Sequence, residues 1–352
     1  MRPERIKWID LLRALAILMV ILCHATEGIY PLSISGMDNL SVQSKAAAFT
    51  SFTFGRLGVP IFLMISGYLL LDKDYDPEQT VKFWKYNWFQ LLICTEIWFL
   101  IYEVFLKISG YEIGILQVVA DLLFVHKVNM SHVWYMPMIL GMYLLIPFLA
   151  NSLKRFEAKL LCFPILFFSI FSFFVPTGKV ILNALGLDAL SVQMSSGFSG
   201  GVYGIYIVLG YMIKKGMLKS LKNGWLTIAA MLSIVLGVML QLWSYKCGVQ
   251  YNIWYDCVFL LVASVAVFEL FSRITAVPAY SVVKWLSHYS FAVYLIHNMF
   301  RISLKKYFTA LNCPQMMKVF LLWGTVCILS CLTAKLISSI PKIGKPLLHI
   351  KQ

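Results

Sequence analysis

Long apolar runs, bounded by charged or turn-forming residues, recur along the whole chain. They cover residues 8–30, 48–71, 84–106, 132–151, 158–175, 200–213, 224–243, 254–272, 287–304 and 316–338. Within each run the apolar residues are continuous rather than alternating, which is the pattern of helices and not of strands. A hydrocarbon core takes about 20 residues per helical crossing. Only helices or closed barrels cross it, because lipid satisfies no backbone hydrogen bond. The pattern predicts an all-α, polytopic integral membrane protein of about ten transmembrane helices around a polar internal cavity. It reads as one integral-membrane domain over 1–352 with no appended soluble domain.

Two connections are longer than the rest. Residues 107–131 contain "GILQVVADLLFV", too short to span comfortably, which predicts a re-entrant or interfacial helix. Residues 176–199 predict an irregular cap on the same side, and the short run at 200–213 starts within or just after its Gly/Ser-rich end.

Composition changes the picture only by confirming the solvent. The chain is 60% hydrophobic and 13% charged, where soluble domains carry about 25% charged residues. A soluble protein of this length needs a polar skin that this sequence does not supply. The net charge of +14 would suggest nucleic acid in a soluble protein. No arginine-rich tail or basic patch interleaved with aromatics supports that, and no nucleic-acid partner is expected. The basic residues instead sort by side. "MRPERIK", "LDKDYDPEQTVKFWK", "KRFEAK", "KKGMLKSLK" and "PKIGKPLLHIKQ" fall together if all ten runs cross, with about twice the Lys plus Arg of the other side. The positive-inside rule makes that side cytoplasmic, with both termini on it. The first run reads as a retained helix, since it lacks a small-x-small cleavage site and is long enough to span. The eight cysteines form no C-x-x-C pair, and no metal-ligand cluster is expected. Cys247, Cys257 and Cys313 lie toward the outer side, where a disulfide is compatible with the sequence but not legible in it.

The candidate chemistry lies on polar stripes. In "DLLRALAILMVILCHATEGIY", Arg13 and His24 are eleven residues apart, about three helical turns and about 16 Å along the axis. Asp10 is within pairing reach of Arg13, and Glu27 follows His24 on nearly the same line. A charge inside a bilayer costs about 2.5 kcal/mol or more unless it faces protein or water. The stripe therefore predicts a helix lining an internal path. Interface anchoring by Asp10 and Arg13, with a structural His24, is the blander alternative. "RLGVPIFLMISGYLLL" places Arg56 at the outer end of the second run, with Ser66 and Gly67 deeper. Headgroup anchoring and helix packing explain them equally well. In "SHYSFAVYLIHNMFR", Ser290, Tyr294, His297 and Arg301 share one helical face. In "SHVWYMPMILGMYLLIP", His132, Trp134 and Tyr135 sit at the outer interface, where an aromatic belt is the plain reading. Glu96 lies mid-run and is expected to face one of these stripes.

These segments, in this order, resemble the acyltransferase-3 family of integral-membrane O-acyltransferases over nearly the whole chain. Arg13 and His24 match its basic-residue, ten residues, histidine signature. Arg56, Phe62, Ser66 and Gly67 match its second, with Ile61 and Tyr68 in place of two phenylalanines; "HVWYM" and "YSFAVYLIH" are similar as well. The resemblance implies acetyl-CoA or another acyl-CoA as cytoplasmic donor and no metal. It implies transfer to a hydroxyl of an extracytoplasmic glycan or lipid-linked saccharide. His24 would be the general base, with Asp10 and Arg13 orienting the site or contacting the donor. Glu27, Arg56, Ser66, Glu96, His132, Trp134, Tyr294 and His297 would line the substrate path. Lys82 and Lys85 sit where relatives often carry donor-binding arginines, and a lysine loses the bidentate phosphate contact of an arginine. The expected setting is the bacterial cytoplasmic membrane, multi-pass, with membrane lipid as partner and a homo-oligomer compatible with the sequence. Some relatives fuse a soluble esterase-like domain that receives the acyl group. The stand-alone arrangement expected here requires the acceptor to approach the membrane face directly. A transporter of an amino acid or lipid-linked saccharide fits the intramembrane charges too, though no duplicated halves or paired broken helices are visible. A glycosyltransferase would need a strong outer acidic site, and the first outer loop offers only Asp38.

Overall fold

The computed structural model describes residues 5–187, 194 and 201–349. All regular structure among them is helical. In chain order the helices are α1 (Lys7–Ile29), α2 (Ile34–Met37), α3 (Val42–Arg56), α4 (Gly58–Leu70), α5 (Pro77–Phe83), α6 (Phe89–Ile108), α7 (Ile115–Leu122), α8 (Tyr135–Leu153), α9 (Ala158–Ser169) and α10 (Val175–Ala184). They continue as α11 (Gly201–Lys214), α12 (Asn223–Lys246), α13 (Val258–Ser272), α14 (Tyr280–Thr309), α15 (Gln315–Ser338) and α16 (Gly344–Leu347). Every apolar run read from the sequence is a helix. Among the described residues, six helical stretches are long and apolar enough to cross a bilayer, and α11 and α13 are shorter apolar helices. The protein is a polytopic membrane protein.

Helix α1 runs through the middle, packed by α14, α3, α15 and α4. Its polar residues are therefore enclosed by protein rather than lipid, which is the arrangement that makes them affordable. Trp323 Nε1 donates to Leu18 O across the α1–α15 contact at 2.9 Å.

Several boundaries differ from the sequence pattern for local reasons. The second run is two helices broken at Leu57. Pro60 has no N–H for the Arg56 carbonyl, and the Leu57 N–H instead bonds back to Phe54 O at 3.2 Å. The break leaves the Arg56 side chain at a helix end rather than in a continuous wall. The fifth run does not stop at 175. A π-helical turn at Ile170–Phe174 carries it into α10. Pro176 removes the N–H that Ser172 O would accept in an α-helix, and the wider turn absorbs the mismatch. The expected irregular cap is thus helical through Ala184, and the rest of it, 188–193 and 195–200, lies outside the described residues. Within 107–131, α7 is a short helix with Ile115, Leu116 and Val119 exposed and Asp121 buried. That is the face pattern of an interfacial helix. Where α4 crosses α11, a Cβ on Gly67 would lie 1.7 Å from Ile207 O, so only glycine permits this approach.

The two ends of the bundle are distinct. At one end Asp72 binds Lys214 (3.1 Å) and Lys215 (2.5 Å), and Lys154 binds Asp74 at 2.5 Å. Arg273 there holds Leu218 O, Leu221 O and Asn223. These contacts gather the hairpins that the charge pattern assigned to one side; residues 1–4 and 350–352 of the same set lie outside the described residues. At the other end, Asn252 and Tyr245 both bind Leu32 O, at 2.9 and 2.7 Å.

Candidate functional site

Four elements converge at the second end. α1 brings His24 and Glu27, the α3–α4 break brings Arg56, α14 brings Tyr294, His297 and Arg301, and the turn before α8 brings His132 and Trp134. Gly55 lets the break press against α1: a Cβ there would lie 2.5 Å from the Cys23 backbone nitrogen. The side chains line a small, partly open cavity formed by His24, Arg56, His132, Trp134, Tyr255 and Tyr294, with Val20 and Val59 among its apolar wall.

His24 is the reactive-looking group of this cavity. Its Nδ1 lies 2.7 Å from Glu27 Oε2, so Nδ1 carries the proton and donates it to the carboxylate. Nε2 then presents a lone pair, and it makes no hydrogen bond with any described residue. Glu27 Oε1 in turn accepts from Arg56 Nη2 at 3.1 Å. Arg56 is buried, donates to Tyr255 OH at 3.2 Å and stacks on Trp254 and Phe52, 4.3 and 4.6 Å from their ring centres. The result is a fixed relay of cation, carboxylate and imidazole. It has the logic of an oriented general base: the carboxylate sets the tautomer and stabilises the imidazolium that forms when Nε2 takes a proton.

A second network stands beside it. The His297 ring centre is 5.4 Å from that of His24, and His132 is 5.0 Å from His297. His297 donates Nδ1–H to Tyr294 O at 2.6 Å, leaving a buried, unpartnered Nε2. Arg301 donates from Nε to Asn298 Oδ1, which fixes that amide. Asn298 Nδ2 donates to His132 Nδ1 at 3.0 Å. His132 therefore holds its proton on Nε2, toward Tyr102 OH at 3.3 Å, and Tyr102 donates onward to Leu295 O at 2.7 Å. Tyr294 OH donates to His132 O at 2.6 Å. Each polar group has a defined direction, which is what a rigid site needs.

The structure corrects several expectations. His132 is not at the interface but 2% exposed, inside the site. Asp10 does not pair with Arg13. It is buried and accepts from Arg5 (2.6 and 3.0 Å), Tyr280 (2.8 Å) and Ser287 (2.7 Å). Asp10 and His24 are fourteen positions apart, about 21 Å along the helix, so Asp10 ties α1 to α14 rather than joining the cavity. Arg13 makes no hydrogen bond or ion pair with any described residue; Tyr143 and Asp10 are its electrostatic neighbours. Ser66 sits at that level, bonded to Tyr143 OH at 3.0 Å and to Phe62 O, and not at the cavity. Glu96 faces neither stripe: it is partly exposed and has no hydrogen bond or ion pair with a described residue. Lys82 and Lys85 are exposed on α5 and the turn after it, with Lys85 over the Tyr86 ring. Ser290 is buried and bonds only Ser287 O. All eight cysteines are free. Among the described residues no group of three or more His, Cys, Asp or Glu side chains is placed to hold a metal.

The residues that sequence reasoning missed are Asn298, Tyr102 and Tyr255. Asn298 had a readable signal, an amide beside His297 and four residues after Tyr294 in an apolar helix. Tyr102 and Tyr255 had none, because their roles depend on pairings far along the chain.

One protein-family model, described as an acyltransferase domain, matches residues 6–338. No curated protein matches the chain. No solved structure matches it.

Proposed function

Since the chain belongs to the acyltransferase-3 family, whose domain spans nearly all of it, we propose that it is a membrane O-acyltransferase with the Arg56–Glu27–His24 relay as its acid–base centre. The donor in this reading is acyl-CoA, acetyl-CoA by preference, on the Arg13 side. The acceptor is a glycan or lipid-linked saccharide hydroxyl on the His24 side. The setting is a bacterial cytoplasmic membrane, with the charged end of the bundle and both termini inside.

The observation that carries this is the free Nε2 of His24 in a cavity, with Nδ1 held by a carboxylate that is itself held by a cation. A hydroxyl needs a base to attack a thioester near neutral pH. His24 Nε2 takes the hydroxyl proton as the oxygen bonds to the acyl carbon. The carbonyl becomes an oxyanion, for which Arg56 is the cation on the cavity lining. His24 then returns the proton as the carbon–sulfur bond breaks and the CoA thiol leaves. His132 and His297, locked by Asn298 and the Tyr294 carbonyl, hold the cavity wall and are not required to change protonation.

Arg13 supports the donor side. It makes no ion pair with a described residue and lies about 16 Å from His24 along α1, near the bundle end that also carries Lys73, Lys214 and Lys215. An unpaired cation inside a membrane protein needs an anion or water, and CoA phosphates are anions. An extended pantetheine arm would bring the thioester from there to His24.

The test is acceptor-dependent release of CoA thiol from acetyl-CoA by purified protein in nanodiscs. The account expects release with wild-type protein and its loss in His24→Ala, with unaltered folding. Equal release by both proteins overturns the reading. Movement of a labelled saccharide without acyl-CoA consumption would assign the chain to transport.

A further inference from the structure

Three imidazoles meet at the cavity, and they are not used alike. His132 has both nitrogens engaged, Nδ1 with Asn298 Nδ2 at 3.0 Å and Nε2 with Tyr102 OH at 3.3 Å. His24 has Nδ1 on Glu27 at 2.7 Å and Nε2 turned to the chemistry. His297 has Nδ1–H on Tyr294 O at 2.6 Å, and its Nε2 is buried without a hydrogen bond to any described residue.

A purely structural role accounts poorly for His297. The residue is 0% exposed. Its hydrogen bond runs back to the carbonyl three residues earlier in its own helix, so it ties no two elements together. Tyr102 links α6 to α14 through Leu295 O, and Tyr294 and Asn298 link α14 to His132. An apolar side chain at 297 would fill the space without burying a lone pair that nothing answers, which is a cost. A native site that keeps such a group asks for a partner gained in another state of the reaction.

His24 supplies one. Its ring centre is 5.4 Å from that of His297, with the planes tilted by 32°. Two imidazoles joined by an N–H···N bond of about 3 Å have centres about 5 Å apart, so the pair stands near that spacing. In the resting state both Nε2 atoms are acceptors, because each ring carries its proton on Nδ1, and no hydrogen bond joins them. Protonation of His24 Nε2 changes this. The new N–H needs an acceptor after the hydroxyl has attacked and before the carbon–sulfur bond has broken. The neighbours are otherwise occupied. Glu27 serves the far nitrogen of His24, both nitrogens of His132 are engaged, Tyr294 OH is committed to His132 O, and Arg56 and Arg301 are donors only.

We propose that His297 is a positioning residue for acyl transfer, whose Nε2 accepts a hydrogen bond from the N–H that His24 gains. This rests on the acyl-transfer reading of the His24 centre. His24 Nε2 takes the proton of the acceptor hydroxyl as the carbon–oxygen bond forms. It shares that proton with His297 in a hydrogen bond without giving it up. As the carbon–sulfur bond breaks, the proton passes to the leaving sulfur. His297 stays neutral throughout and touches neither substrate. The imidazolium is thus held at Nδ1 by Glu27 and at Nε2 by His297, and cannot swing away between the two steps.

The test uses full-length protein in nanodiscs, with acetyl-CoA as donor, a panel of oligosaccharides as acceptors and thiol release as the rate. His297→Leu should lower kcat about 10–100-fold, the effect of losing one hydrogen bond to a charged group, with both KM values within about threefold. His297→Gln, which keeps an acceptor oxygen, should recover most of the loss. An unchanged kcat in His297→Leu, an equal loss in both variants, or a raised acceptor KM at constant kcat overturns the proposal. A second readout needs only the wild-type fold: nitrogen-15 spectra of histidine-labelled protein, assigned through His24→Ala and His297→Gln. Protonating His24 should move the His297 Nε2 signal in the sense of an accepted hydrogen bond while His297 stays neutral. An unmoved signal, or a charged His297, overturns the proposal. His24→Ala keeps the two claims apart. Transfer that survives it overturns the acyl-transfer centre, whereas transfer lost in His24→Ala and intact in His297→Leu overturns only the role of His297.

Discussion

Replacing Glu27 with Gln keeps the shape of the relay and removes its charge. The Glu27 side chain is 26% exposed and lies 2.7 Å from His24 Nδ1 and 3.1 Å from Arg56. When His24 takes a proton, a carboxylate at a charge separation of about 4 Å stabilises the imidazolium by about 4 kcal/mol at an effective dielectric constant of about 20. Arg56 is already paired to the same carboxylate and offsets part of that, which leaves about 3 kcal/mol. At about 1.4 kcal/mol per decade this is a loss of about 100-fold in kcat. A neutral amide also permits either imidazole tautomer, so some His24 rings turn their protonated nitrogen to the cavity and the loss grows. Arg56 loses its counter-ion, and breaking a buried pair costs about 3–5 kcal/mol, so the variant should melt earlier as well. Stopped-time CoA release, normalised to the folded fraction by size-exclusion chromatography, separates the two effects. Turnover within threefold of wild type in the folded fraction would refute the relay, because no other described side chain holds His24 Nδ1.

Other expectations follow the same geometry. Arg13→Ala should raise the acetyl-CoA KM by about 10–100-fold with Arg13→Lys intermediate, measured by thiol release; an unchanged KM would remove Arg13 from the donor path. Asp10→Ala leaves Tyr280 and Ser287 without their acceptor and should cost about 3–5 kcal/mol of stability, yet turnover per folded molecule should stay within about threefold because Asp10 is about 21 Å from His24. Gly67→Ala should abolish normal folding, read as loss of the monodisperse peak, since the added methyl meets Ile207 O at 1.7 Å. At the charged end, burial alone would raise the Asp72 carboxyl, but hydrogen bonds from Lys215 and Lys214 hold it below its ordinary value. A depressed folded-state value stabilises above the unfolded value of about 3.9 and is lost as pH falls through the folded one. Asp72→Asn should therefore lower the melting temperature at pH 7, and the difference from wild type should start to shrink only below about pH 4 and vanish once the pH is below the depressed folded-state value.

The helices were legible because lipid demands long apolar runs, and every run read from the sequence became a helix. Their joints were less so. The break at Leu57 and the π-turn before Pro176 depend on one missing N–H each, visible as prolines but not decisive without the packing that tolerates the bend. The seam on α1 was legible from helical spacing, and Glu27 does meet His24. What spacing on one helix could not show was competition from other chains of residues. Asp10 was within reach of Arg13, but Arg5, Tyr280 and Ser287 satisfy it better, which leaves Arg13 without an ion pair among the described residues. His132 looked like part of an aromatic belt because its partners, Asn298 and Tyr102, lie 166 and 30 residues away. Glu96 was singled out as a mid-run carboxylate, yet it turns away from the stripes, and nothing in the local sequence sets that rotation.

The central claim is that a donor on the Arg13 side and an acceptor on the His24 side react at one imidazole. Oriented proteoliposomes test it most directly, with labelled acetyl-CoA supplied only to the charged face and a glycan acceptor only to the opposite face. The account predicts labelled ester on the acceptor with wild-type protein and none with His24→Ala. Transfer that persists in His24→Ala, or that occurs only when donor and acceptor share one face, would contradict it.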